Sequence, residues 1–190
     1  MKNRRVVISG LGAVTPIGNN VTDYWNALIE GKNGVELITH FNTEKFDTKF
    51  AAEVKNFDPL LDIGKESVRG IDLFCKFALA SAVQAVEDSK LDLSKINLER
   101  AGVIYGSGIG GINTLTEQHW IYFNDKSPQR ISPFFVTMMI PDIAAGQISI
   151  RFGFKGPNYS TSSACATSSH SIADAFVLIQ RGDADIMICG

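Results

Sequence analysis

Short apolar runs alternating with longer stretches of helical periodicity constrain this chain's fold more than any other feature of its sequence. Arg4 to Ser9, Ala101 to Tyr105, Tyr159 to Ser162 and Asp185 to Cys189 read as strands. Val21 to Glu30, Ile143 to Phe152 and Ala166 to Gln180 read as helices, as does a stretch capped by Asp72 and running to about Ser89. A further helix is expected at Thr114 and Glu117, which fit a capping box. Gly10-Leu11-Gly12 ends the first strand, and Gly31 and Gly34 stop the first helix. Strands separated by helices align in parallel rather than as hairpins. The expected fold class is therefore α/β, a layered fold with a largely parallel sheet. In the helix after Asp72, Phe74, Phe77, Ala78, Ser81, Ala82 and Ala85 recur at helical spacing, and the small members suit close packing on the sheet. Ile172, Phe176 and Ile179 share one face of the last helix. Residues 32–70 carry no assignable pattern.

Composition removes several classes of function. Lysine and arginine number 18 against 20 acidic residues, a net charge of −2, which argues against a dedicated nucleic-acid surface. A membrane-spanning helix needs about 20 consecutive apolar residues. The best window, Ile131 to Ile150, is cut by Pro133, Pro141, Asp142 and Gly146, so no membrane span is expected. The basic start is followed only by Val6-Val7-Ile8 before Ser9, too short for the core of a secretory signal. Three cysteines without a CxxC pair suggest neither a disulfide framework nor a zinc site. His40, His119 and His170 show no metal-ligand spacing. The expectation is a cytoplasmic protein with no metal and no cofactor. No internal repeat or linker divides the chain, which stops at Gly190 straight after an apolar strand; residues 1–190 thus read as the first half of a longer protein.

The stretch most suited to chemistry is Gly156 to Ala173, which contains no Asp, Glu, Lys or Arg and is crowded with hydroxyls. Cys165 lies in its middle, between small neighbours Ala164 and Ala166, at the junction of an expected strand and helix. Free backbone N–H groups and the positive end of a helix favour thiolate over thiol there. Small neighbours permit a sharp turn and the approach of a carbonyl, with the N–H of Cys165 as an oxyanion donor. The bland alternative is a small buried apolar residue, the reading given to Cys75 and Cys189. His170 is five residues beyond Cys165, well round the helix from it, so no local base is evident. Gly106 to Gly111 satisfies GxGxxG after an expected strand, the competing reading of a dinucleotide-binding turn. That turn needs an acidic residue at the end of the next strand, and the nearest candidate, Asp125, lies in an expected loop. Ile131 to Val136 with Met138 and Met139 forms a dense apolar segment fit for core, lipid pocket or subunit interface.

Ser163-Ala164-Cys165-Ala166-Thr167 also carries a family resemblance when taken with five other segments. These are Arg4 to Gly12, Thr15-Pro16-Ile17-Gly18, Gly106 to Gly111, Ile131-Ser132-Pro133-Phe134-Phe135 and Gly182-Asp183-Ala184-Asp185. In their order and spacing they resemble the N-terminal half of the β-ketoacyl-acyl-carrier-protein synthases, the condensing enzymes of fatty-acid synthesis, and most of all the type II synthase. The resemblance implies a thiolase-like layered fold (α/β/α/β/α in the complete enzyme) and a homodimer. It implies that Cys165 takes an acyl chain from acyl carrier protein as a thioester. Decarboxylation of malonyl-carrier protein would then give a carbanion that attacks the thioester, yielding a 3-oxoacyl product two carbons longer. Ile109 and Phe135 match positions that line or gate the acyl pocket. Lys65, Arg69 and Arg130 would meet the acidic carrier protein, where charge steering is physically sensible.

Two departures qualify the resemblance. Ser168 stands where the family usually has glycine, with an expected effect on the start of the helix. The family's two catalytic histidines and its lysine come from the C-terminal half, and none of His40, His119 or His170 matches their motifs. The 190 residues alone are therefore expected not to catalyse condensation. The alternative functions are a catalytically silent condensing-enzyme homologue, against which Cys165 speaks, and a dinucleotide-binding protein using Gly106 to Gly111.

Overall fold

The computed structural model describes residues 4–64, 70–125 and 127–190. After an extended start the chain forms helix α1 (Val21–Ile29), then strands β1 (Val35–Leu37) and β2 (Phe50–Ala52), which pair antiparallel. Helices α2 (Pro59–Ile63) and α3 (Leu73–Ser89) lead to strand β3 (Ala101–Ile104). Helices α4 (Ile112–Asp125), α5 (Phe135–Met139) and α6 (Ile143–Phe152) follow. Strand β4 (Asn158–Tyr159), helix α7 (Thr167–Arg181) and strand β5 (Ile186–Cys189) complete the chain.

Local chemistry explains where these helices start and stop. The side chain of Asn20 accepts a hydrogen bond from Asp23 N–H at the head of α1, and Asp72 does the same for Phe74 N–H at the head of α3. Gly182, with φ of +84°, reverses the chain after α7 and returns its N–H to the carbonyls of Leu178 and Ile179.

The central sheet is parallel, in the order β4-β3-β5, with Val103 opposite both Asn158 and Ile188. Every residue of β3 is buried, as a strand covered on both faces must be. Ala101 and Val103 join Cys75, Ala78, Leu79 and Ala82 of α3 and Ala144, Ala145 and Ile148 of α6 in one apolar cluster. Ile104, next along the strand, is fully buried outside that cluster, while α7 packs on β3 and β5. Two helices thus cover one face of the sheet and α7 the other. Burying Leu79, Ile148, Val103 and Ile104 stabilises the layers by about 1.5–3 kcal/mol each.

Two expectations need correction. Arg4–Ser9 is not a buried strand: it forms no ladder, and Val7 and Ile8 are 65% and 79% exposed. The segment is pinned from its ends instead, by Arg4 on Asp185 (2.8 Å), Leu11 N–H on Asp88 Oδ2 (2.9 Å) and Ala13 N–H on Gln84 Oε1 (3.0 Å). A cavity of about 380 Å³ is lined by Val6–Gly10 together with β5. Ile172, Phe176 and Ile179 of α7 line the same cavity, and the buried positions of α7 are the smaller Thr167, Ser171 and Ala175. Thr114 and Glu117 form no capping box. Helix α4 already begins at Ile112, and both the N–H and the hydroxyl of Thr114 bond Asp72 Oδ2, at 2.9 and 2.6 Å.

Candidate active site

Cys165 is exposed and lies in a single 3-10 turn, Ala164–Ala166, that runs directly into α7. Ala166 N–H closes this turn on the carbonyl of Ser163 at 3.0 Å. The N–H groups of Ala164 and Cys165 therefore precede the hydrogen-bonded series and point out of a helix start. Ala164 has φ of +49°, the left-handed region, which a residue with a Cβ enters at a cost of about 1–2 kcal/mol. The chain thus makes a sharp, strained reversal immediately before the cysteine, as in a nucleophile elbow.

The hydroxyl-rich sequence supplies what holds that reversal. Thr167 Oγ1 accepts from Ser163 N–H (2.9 Å) and donates to Ala164 C=O (2.8 Å), spanning Cys165 from either side. Thr161 Oγ1 reaches Thr167 C=O (3.0 Å) and Ser171 Oγ (2.8 Å). Ser163 Oγ and His170 Nδ1 lie 2.6 Å apart. Neutral hydroxyls satisfy the backbone of the turn without placing a carboxylate beside the thiol. The His170 contact has no signal in the sequence, because it joins residues seven apart across a left-handed turn that an alanine makes.

The glycine cluster packs beside this turn. A Cβ added to Gly106 would stand 2.2 Å from Thr167 Cγ2, and one added to Gly108 would stand 3.6 Å from Ala164 Cα. Only glycine lets the loop approach so closely at position 106. The loop's far end meets α5, with Gly111 N–H on Met139 C=O at 2.9 Å. Where a dinucleotide's pyrophosphate would take the amides of the following helix, the carboxylate of Asp72 already holds Thr114 N–H. Asp125 ends helix α4 and not a strand. The cluster's geometry is that of close backbone packing beside the Cys165 turn.

The remaining sequence-selected residues spread around this centre. Ile109 lies in the glycine loop between the Cys165 turn and α5 and is 70% exposed, while Phe135 opens α5 and is half-buried. Arg130 is exposed in a 3-10 turn, Pro128–Arg130. Lys65 and Arg69 lie outside the described residues. Ser168, exposed in the first turn of α7, lines a cavity of about 480 Å³ with Gly10, Tyr105 and Gly190. Cys75 is fully buried, and burial, aided by the charge of Asp72, pushes its thiol up to about 12. Cys189 is half-buried, and burial raises its thiol too. Cys75 is a core residue, as expected, whereas Cys189 lies outside the core cluster and lines the two cavities beside β5.

Comparisons with known proteins place the chain in a family. Residues 3–190 match the family model described as beta-ketoacyl synthase, N-terminal domain. A 3-oxoacyl-[acyl-carrier-protein] synthase 2 of Staphylococcus aureus is 48% identical over 189 residues, covering 100% of this chain and 45% of that protein. One of Synechocystis is 45% identical over 190 residues, again covering 45% of the relative's length. The chain therefore spans about half the length of the curated relatives it matches. Among solved structures, the ishigamide ketosynthase/chain length factor superposes with a TM-score of 0.90 at 26% identity, over 99% of this chain and 47% of that one. A type II PKS acyl-carrier protein in complex with its ketosynthase, bound to the hexaketide, gives a TM-score of 0.83 at 25% identity, over 98% and 50%. The expected thiolase-like layered α/β fold is the fold of this chain.

Proposed function

We propose, because the chain belongs to the beta-ketoacyl synthase family, that Cys165 accepts an acyl group in a 3-oxoacyl-acyl-carrier-protein synthase of fatty-acid elongation. One observation carries this reading: an exposed cysteine in the turn at the head of α7, directly after a left-handed alanine. The thiolate Sγ attacks the thioester carbonyl of an acyl carrier protein, and the carrier's thiol leaves with the proton that Cys165 gives up. The N–H of Cys165 stabilises the oxyanion formed on the way. Malonyl-carrier protein then loses carbon dioxide, and the resulting carbanion displaces Sγ to give the 3-oxoacyl product. The two histidines and the lysine that the family uses for this second step belong to its C-terminal half, so these 190 residues alone acylate without condensing.

Ile109 and Phe135 line the acyl pocket in this reading: Ile109 stands in the glycine loop, and Phe135 opens α5, the helix whose last residue, Met139, that loop meets through Gly111 N–H. Lys65, Arg69 and Arg130 meet the acidic carrier protein through charge steering, which raises encounter rates more than affinity. A homodimer is supported by the apolar surface of α4, where Trp120 and Phe123 are 71% and 68% exposed. Among the described residues no helix is long and apolar enough to cross a membrane. A cytoplasmic setting follows from the pathway proposed.

The test is intact-mass spectrometry before and after exposure to a long-chain acyl thioester, with peptide mapping. An acyl adduct on Cys165, absent from Cys165→Ala, is expected, with no 3-oxoacyl product from the 190-residue chain given malonyl-carrier protein. A native protein that takes no adduct would overturn the acyl-acceptor reading.

A further inference from the structure

The Ser163–His170 contact has no part in the reaction as written, yet it brackets the nucleophile. Ser163 precedes the left-handed Ala164, and His170 stands in the helix that follows Cys165. A backbone held in a sparsely populated region persists only where its surroundings over-determine it. At Ala164 those surroundings are a set of short bonds from α7 back onto residues 161–164. Thr167 and Ser171, both buried, make the inner bonds of that set. On the exposed side the tie is the 2.6 Å contact between Ser163 Oγ and His170 Nδ1. Nδ1 is thereby engaged with Ser163, which gives the ring a holding function.

We propose that His170 is a positioning residue: through Ser163 it locks the turn that presents the Sγ and N–H of Cys165 to an incoming acyl carbonyl. The proposal rests on the acyl-acceptor reading of Cys165. Loss of the tie removes the bond that holds Ser163 from its exposed side and leaves the turn to the inner threonine bonds alone, so the turn loosens. The thiol and the oxyanion donor then sample orientations in which they no longer face one carbonyl together.

The experiment compares the initial rate of Cys165 acylation by a long-chain acyl thioester, read by mass, in the protein expressed at its native length. The variants are His170→Ala, Ser163→Ala, the double variant and His170→Asn. Asparagine places an amide nitrogen or oxygen near the position of the imidazole Nδ1, so it keeps the tie without the ring. Each alanine variant is expected to acylate about 10-fold more slowly, the double variant no more slowly than either single, and His170→Asn to recover to within about two-fold of the native rate. A native rate in His170→Ala, multiplying losses in the double variant, or no recovery in His170→Asn would overturn the proposal. Should His170→Ala fold poorly by circular dichroism, Ser163→Ala, which removes one oxygen, carries the same prediction. If the native protein takes no acyl group, the acyl-acceptor reading fails by itself. The same variants are then compared by iodoacetamide alkylation of Cys165, where the identical rate pattern is required and its absence ends the proposal.

Discussion

Two cysteines of this chain sit at helix starts, and their surroundings give them opposite characters. Cys75 is the third residue of α3, behind the cap Asp72; Cys165 lies in the turn that opens into α7, where Ala166 gives no side-chain cap. Around Cys75 the aliphatic cluster excludes water and a carboxylate stands at the helix head, and both disfavour the thiolate. Around Cys165 the thiol is exposed, the preceding backbone is left-handed, and neutral hydroxyls hold the turn. A helix N-terminus does not by itself make a nucleophile. The group that satisfies its amides, and the access of solvent and substrate, decide what the cysteine at its head can do.

The largest expected effect tests that contrast directly. In the native protein at pH 8, iodoacetamide should modify Cys165 at least about 100-fold faster than Cys75, because a fully buried, neutral thiol reacts only when the structure opens. Time-resolved peptide mass mapping measures both rates in one sample, and comparable rates would dissolve the distinction. Asp72 sharpens it. Its carboxylate accepts from Phe74 N–H and from both donors of Thr114, so it ties the heads of α3 and α4 together. Asp72→Ala removes the cap and strands buried donors, and urea unfolding should show a loss of about 2–4 kcal/mol. Asp72→Asn keeps an acceptor and should leave Cys75 slow, since burial outranks the carboxylate as the cause of its raised pKa. A Cys75 made fast by Asp72→Asn would put the charge first.

The same contrast separates what the sequence announces from what it conceals. Helices α1, α3, α6 and α7 were legible within a residue or two because their apolar residues recur at helical spacing and, at α3, Asp72 is a side-chain cap, all local chemistry. Cys165 was legible because charge is missing from a long hydroxyl-rich stretch. Arg4–Ser9 was misread because a strand is defined by its neighbour's ladder, and Val6-Val7-Ile8 looks the same with or without one. Thr114 was misread because the Asp72 carboxylate that engages it comes from 42 residues away. Ser163 and His170 were invisible as a pair because the turn between them is made by an alanine, where a glycine would have advertised the reversal.

That alanine gives the smallest and most discriminating prediction. A left-handed conformation costs an L-residue about 1–2 kcal/mol, and glycine adopts it freely but loses about 0.5–1 kcal/mol more conformational entropy on folding. For Ala164→Gly the two nearly cancel, so the urea midpoint should correspond to a change of less than about 1 kcal/mol. Ala164→Val should lose about 2 kcal/mol, because a β-branched side chain tolerates positive φ poorly. The pair of variants isolates the backbone at position 164 from the hydrogen bonds that hold it. If valine is accepted with an unchanged midpoint, the reversal before Cys165 is not built on left-handed backbone, and the head of α7 differs from that of α3 by exposure and cap alone.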